Sequence, residues 1–207
     1  MSDKIYPVPK ISNLVPLMSE EKYSELYKLS LDNPNKFWGE EALSRLNWIK
    51  PFDDVLSTNM EEAEFEWFSN GKLNACFNCV DRHLENNGKD IAFIWESDDG
   101  STSKKITYQE LYEQVCRLSN LLKSRGIKKG DRVCIYMPMI LEAIYSMLAC
   151  ARIGAVHSVV FGGFSVESLK DRILDSDCQT IITANEGLRG GKKVPLKNNV
   201  DLSLIHI

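Results

Sequence analysis

Residues 132–184, RVCIYMPMILEAIYSMLACARIGAVHSVVFGGFSVESLKDRILDSDCQTIITA, decide the fold. Three short apolar runs, 133–137, 155–160 and 180–183, are separated by two segments with helical spacing. The first segment places Ile140, Ala143, Ile144, Met147, Leu148 and Ala151 on one face. The second does the same with Val166, Leu169 and Ile173, while Glu167, Lys170 and Asp171 point away. Strand–helix–strand–helix–strand with brief connections predicts an α/β fold whose sheet is parallel and whose crossovers are right-handed. Between the second strand and second helix stands Phe161-Gly162-Gly163-Phe164. That position is the carboxyl end of a strand, the edge at which open parallel sheets bind ligands.

Paired glycines let a backbone approach a ligand closely and expose its N–H groups. Ser165 is placed to cap the following helix, whose positive end faces the same space. An ordinary tight turn uses the same residues, so the spacing alone supports both readings equally. It is not G-x-G-x-x-G, and a dinucleotide fingerprint is unsupported.

Directly after the third strand comes EGLRGGKKVPLK, residues 186–197, with four cations (Arg189, Lys192, Lys193, Lys197) against the single acid Glu186. Arginine offers a planar fork for phosphate, lysine a point charge, and Gly190 and Gly191 free backbone donors. Such a loop suits a phosphate; a solvated basic turn has the same composition. The segment lacks G-x-x-x-x-G-K-[ST] and is not a nucleoside-triphosphate P-loop.

Upstream, the hairpin arms 91–95 and 104–107 flank the turn Ser97-Asp98-Asp99-Gly100-Ser101. Thr107-x-x-Glu110 reads as a capping box opening a helix that carries Leu111, Val115, Leu118 and Leu122 on one stripe. Gly126 ends it. Residues 74–84 read as one helix with Phe77, Val80 and Leu84 inward. Thr58-x-x-Glu61 also fits a capping box, but the alternation over 62–68 favours a strand. Nearer the start, Ser19 caps a helix with Tyr23, Leu26 and Tyr27 on its inner face, and Asn33-Pro34 ends it. A second helix spans 37–46. Three prolines predict an extended arm over 6–16. Two regions emerge: a helical cap with aromatic anchors over 1–88, and from 89 to 201 an α/β domain that is begun and not finished, with too few elements to cover both faces of a parallel sheet.

The 207 residues are 43% hydrophobic and 26% charged, the balance of a globular domain, and a net charge of −4 gives no global drive toward nucleic acid. Any anion site is therefore local. The longest apolar stretch, 140–164, holds nine uncharged residues between Glu142 and Arg152, too few for a membrane span. No export signal is visible in MSDKIYPVPK. Cys76 and Cys79, with His83 four residues on, form a C-x2-C with no second pair, which gives zinc little support. Cys116, Cys134, Cys150 and Cys178 fall on core faces, and the set fits a reducing, cytoplasmic setting. His157, inside an apolar strand, reads as a core or half-buried histidine rather than a base. Trp38, Trp48, Trp67 and Trp95 read as packing anchors. No nucleophile–base constellation assembles from the serines, histidines and aspartates.

Four segments, FWGEEALSRLNWIKPFDDV (37–55), LNACFNCVDRHL (73–84), RVCIYMPMILEAIYSMLACARIGAVHSVVFGGFS (132–165) and ITANEGLRGGKKVPLK (182–197), together resemble the AMP-forming acetyl-coenzyme A synthetases, a branch of the adenylate-forming enzymes. The resemblance covers residues 6–201. It implies the N-terminal portion of the large domain of such an enzyme. The implied reaction has two steps: acetate attacks the α-phosphate of Mg-ATP to give acetyl-adenylate and pyrophosphate, then the CoA thiol displaces AMP. It assigns Phe161, Gly162 and Gly163 to the pantetheine path, and Arg189, Gly190, Gly191 and Lys192 to the nucleotide end of CoA. Many relatives carry arginine where Lys192 stands, and lysine keeps the charge without the bidentate fork.

The family's ATP-phosphate loop, acyl pocket, adenine site, Mg2+ site and catalytic lysine are expected beyond residue 207, so no catalytic residue is assigned here. The expected partners are acetate, ATP and CoA, not nucleic acid or membrane; the resemblance fixes no oligomeric state. Residues 202–207 depart from the family and are expected to be a non-native tail of a truncated or mis-assembled product. The chain alone is expected to activate no acetate. Two alternatives stand beside acetate ligation: preference for propionate or another short acid, and a non-catalytic CoA- or nucleotide-binding module.

Overall fold

The computed structural model describes residues 17–205 and 207. The extended arm expected over 6–16 and His206 of the expected tail lie outside the described residues. The chain separates into two compact units: residues up to Leu46 with Pro51–Gly71, and Asn47–Lys50 with Lys72–Ile207.

In the first unit, Ser19 caps α1 (Glu20–Asp32), its hydroxyl accepting from Lys22 N at 3.2 Å. Asn33 serves two helices. Its N–H donates to Leu29 O, and its side chain accepts from Lys36 N to open α2 (Pro34–Arg45). That helix starts three residues earlier than the spacing predicts because Pro34 suits a first-turn position that needs no N–H. Tyr23 and Tyr27 are exposed rather than inward, their rings stacked at 6.0 Å. The strand expected over 62–68 is β2 (Glu64–Trp67), paired antiparallel with β1 (Leu56–Asn59). The Thr58–Glu61 pattern begins no helix; the Asn59 side-chain oxygen Oδ1 accepts from the backbone N–H groups of Glu61 and Glu62 and turns the hairpin. Trp38 and Trp67 meet edge to face at 6.2 Å, both still partly exposed.

In the second unit the helix expected over 74–84 breaks into α3 (Ala75–Cys79), a 3-10 turn Asp81–His83, and α4 (Leu84–Asn87). Side-chain amides override the periodicity. Asn74 caps α3 through Phe77 N and donates to the carbonyls of Ala151 and Arg152. Buried Asn78 accepts from Asn47 N and donates to Asn47 O. Cys76, Asn78 and Val80 therefore face inward, and Phe77 faces out.

β3 (Ile91–Glu96) and β4 (Ser103–Thr107) form the expected antiparallel hairpin. α5 (Tyr108–Ser124) opens with the complete Thr107–Glu110 capping box and buries Leu111, Val115 and Leu122. Then follow β5 (Arg132–Met137), α6 (Leu141–Ile153), β6 (Val156–Phe161), α7 (Val166–Asp175) and β7 (Thr180–Thr183). The three strands make a parallel sheet in the order β6-β5-β7, which is the α/β arrangement that the apolar runs predict.

The pleat of β5 feeds two cores. Val133 and Ile135 pack with Leu111, Val115, Leu122, Ala149 and Cys150 of α5 and α6. Cys134 and Tyr136 point the other way, onto Leu169 and Ile173 of α7 and Leu196 and Val200 of α8 (Leu196–Ile205). The face of α6 differs from expectation: Tyr145, Ser146, Ala149 and Cys150 are the buried residues. The helix touches α3, α5 and the sheet, so one stripe does not describe its burial.

Cys134, Cys150 and Cys178 are buried and Cys116 half-buried. Cys76 points into the core while Cys79 is exposed, so the C-x2-C pair does not converge. His157 is exposed, contrary to expectation, because β6 is an outer strand. Residues 202–205 continue α8; buried Ser203 donates toward Val166 O and Asn199 O at 2.9 and 2.7 Å.

Candidate functional site

β6 delivers Phe161 to the carboxyl edge of the sheet, opposite Met137 of β5. The chain then turns through Gly162 and Gly163, and Ser165 caps α7 by accepting from Ser168 N at 3.3 Å. The turn is held from below by Tyr136. Its fully buried ring carries a hydroxyl that lies 3.2 Å from Gly162 O and 3.0 Å from Phe164 O, and accepts from Asn199 Nδ2 at 3.2 Å. This clamp was not read from the sequence. The available signal was one hydroxyl-bearing aromatic in a strand that is otherwise Arg, Val, Cys, Ile and Met.

The glycines are there for space. A Cβ at Gly162 would stand 3.1 Å from the Met137 carbonyl oxygen. One at Gly163 would stand 2.4 Å from Arg189 Nη1 and 2.8 Å from Phe161 Cε1. The basic segment has thus come back against the glycine turn.

That segment is a hairpin rather than a loop, with β8 (Gly187–Arg189) antiparallel to β9 (Lys192–Val194). Gly190 and Gly191 take φ of +56° and +73°, the left-handed pair that a two-residue turn between twisted strands requires. The signal in the sequence was Gly-Gly flanked by Leu-Arg and Lys-Lys-Val. Their N–H groups are not free donors, because both bond the Asp98 carboxylate.

The four cations have different fates. Lys193 pairs with Glu186 at 2.6 Å, and Lys197 pairs with Asp201. The Arg189 guanidinium lies over the Phe161 ring, 4.7 Å from its centroid. The Lys192 side chain is exposed and makes no hydrogen bond or ion pair among the described residues. Arg189 and Lys192 are direct cross-strand partners. Cross-strand partners have Cβ atoms ~5 Å apart, where like charges repel, and a bound anion would relieve that cost. Phe161, Gly163 and Arg189 thus meet, with Lys192 paired to Arg189, whereas the resemblance assigns the glycine turn to the pantetheine path and the basic segment to the nucleotide end of CoA. Phe164 meets Phe161 edge to face at 5.8 Å and completes an aromatic wall.

The arrangement offers a planar cation over an aromatic ring, an exposed lysine beside it, and an apolar wall at a strand end. This combination suits a phosphorylated ligand with an unbranched or aromatic portion. Among the residues brought together there is no acid–base pair or nucleophile.

The family model described as AMP-binding enzyme matches residues 80–204, and the one described as acetyl-coenzyme A synthetase N-terminus matches residues 23–79. The chain belongs to the AMP-binding enzyme family. Within it, its relatives include acetyl-coenzyme A synthetases. Acetyl-coenzyme A synthetase 2 of Pseudomonas aeruginosa is 56% identical over 97% of this chain and 31% of its own length. The acetyl-coenzyme A synthetase of Alkalilimnicola ehrlichii is 54% identical over 99% of this chain and 32% of its own. That of Rhizobium rhizogenes is 54% identical over 100% and 32%. The chain spans about a third of the length of the curated relatives it matches.

Proposed function

We propose that this chain is the N-terminal part of an AMP-forming acetate–CoA ligase and supplies part of its CoA site. In the reaction, an acetate oxygen attacks the α-phosphorus of ATP, taken as its Mg2+ complex, and pyrophosphate leaves. The CoA thiol then attacks the carbonyl carbon of acetyl-adenylate, losing its proton, and AMP leaves with the C–O electron pair. Arg189 and Lys192 hold the phosphates of the CoA nucleotide. Gly162 and Gly163 let the pantetheine arm pass the strand end, with Phe161 as its wall. The steps on acetate and ATP fall to parts of the enzyme outside this segment, and the setting is the reducing cytoplasm that free thiols favour.

The observation that carries this reading is the like-charged cross-strand pair, Arg189 opposite Lys192, set against the glycine turn. The high identity to acetyl-coenzyme A synthetases supports the choice of acid and thiol.

The two half-reactions give a clean test in the full-length enzyme. Acetate-dependent exchange of pyrophosphate into ATP needs no CoA. Arg189→Ala is expected to raise the KM for CoA by about tenfold or more while leaving exchange intact. An unchanged KM, or equal loss of both activities, would contradict the assignment.

A further inference from the structure

The two amides at the tip of the basic hairpin converge on a single carboxylate. Gly190 N–H donates to Asp98 Oδ1 at 3.0 Å, and Gly191 N–H donates to Oδ2 at 2.8 Å, across 92 and 93 residues of sequence. Successive left-handed residues turn their N–H groups to one side and make a concavity that favours an anion. Asp98 fills it from within the protein.

The turn that presents Asp98 is itself tightly built. Ser97 N donates to Thr102 O at 2.8 Å and Gly100 N to Ser97 O at 2.9 Å. The neighbouring Asp99 carboxylate accepts from Ser97 Oγ, Ser101 N and Ser101 Oγ at 2.6, 3.0 and 2.8 Å. The hairpin it grips is weak by comparison. Each strand has three residues, its tip carries two facing cations, and isolated two-stranded ribbons are marginal in water.

We propose that Asp98 is a positioning residue of the CoA site. By clamping the Gly190–Gly191 turn, it fixes the hairpin that holds Arg189 against Phe161 and Lys192 beside it. Its negative charge also offsets the repulsion between those two cations in the unliganded protein. Asp98 acts through Arg189 and Lys192 and touches no substrate. This rests on the reading of that pair as the site for the CoA phosphates.

Amide exchange measured by NMR on the 207-residue chain tests the clamp without any ligand. In the wild-type chain the Gly190 and Gly191 amides are expected to exchange slowly. Asp98→Ala should speed them by at least about tenfold, and Asp98→Asn, which keeps one neutral acceptor, should fall between. Equal rates in all three would overturn the proposal. The link to binding is read in the full-length enzyme by a double-mutant cycle with CoA as the probe. Asp98→Ala should weaken CoA binding by about tenfold, and Arg189→Ala should then have a smaller effect in the Asp98→Ala background than in wild type. Tighter CoA binding by Asp98→Ala would mean that the carboxylate competes for the amides, and an equal effect of Arg189→Ala in both backgrounds would mean that Asp98 does not position it; either overturns the proposal. If the wild-type full-length enzyme binds no CoA, the reading of the site falls and the exchange rates alone decide the clamp.

Discussion

A methyl group at position 163 would collide with two side-chain atoms and no backbone atom. The nearest is Arg189 Nη1 at 2.4 Å, the far end of a flexible chain, and the next is Phe161 Cε1 at 2.8 Å. Gly163→Ala is therefore expected to fold with a melting temperature close to wild type while displacing Arg189 from the Phe161 ring. Its CoA affinity should fall by about as much as that of Arg189→Ala, because the two substitutions remove the same contact. A variant that melts far below wild type, or binds CoA normally, would show that the glycine serves the backbone instead.

A second residue-scale consequence concerns Asp99. Hydrogen bonds from Ser97 and Ser101 hold its carboxyl at about 2, below the usual 3.8. The folded turn therefore favours the ionised form. Its contribution is complete above the ordinary value and is lost as the pH falls from about 4 toward about 2. Carboxyl NMR titration should give Asp99 a midpoint near the bottom of that range, and Ser97→Ala should move it up. A midpoint at the ordinary value in the native chain would contradict the network.

At the scale of elements, local chemistry and strand topology separate what the sequence reveals from what it conceals. The capping box at Thr107 was legible because all of its partners lie within three residues. Thr107→Ala should cost about 1 kcal/mol in urea unfolding with an unchanged denaturant slope. No measurable loss would mean that α5 is held by packing alone. The three parallel strands were legible for a related reason, since unbroken apolar runs mark strands covered on both faces. The same rule misled at His157, because among the described residues β6 has a strand neighbour on one side only and His157 is exposed. The break after α3 was concealed, as it depends on Asn74 and Asn78 reaching carbonyls and amides far along the chain. In the site, the glycine turn and the four cations were visible as residue types. Their meeting was not. It depends on a Gly-Gly hairpin folding back and on Asp98, Tyr136 and Asn199, which bond to backbone or to one another at long range.

For the molecule as a whole, the three-stranded sheet ends at β6 with Val156, Val159 and Phe161 all about half exposed. An outer strand with apolar side chains is a template for pairing. The chain is expected to self-associate as its concentration rises, and Val159→Lys, which puts a charge on that strand, should reduce the effect. A wild-type chain that sediments as a monomer at every concentration would contradict this. The central claim is that Arg189 and Lys192, set against the glycine turn, hold the phosphates of CoA. Calorimetric titration of CoA into the full-length enzyme tests it most directly. Saturable binding is expected that weakens with added salt and falls by about tenfold or more in Arg189→Ala. Binding that is absent, or that Arg189→Ala leaves unchanged, would contradict it.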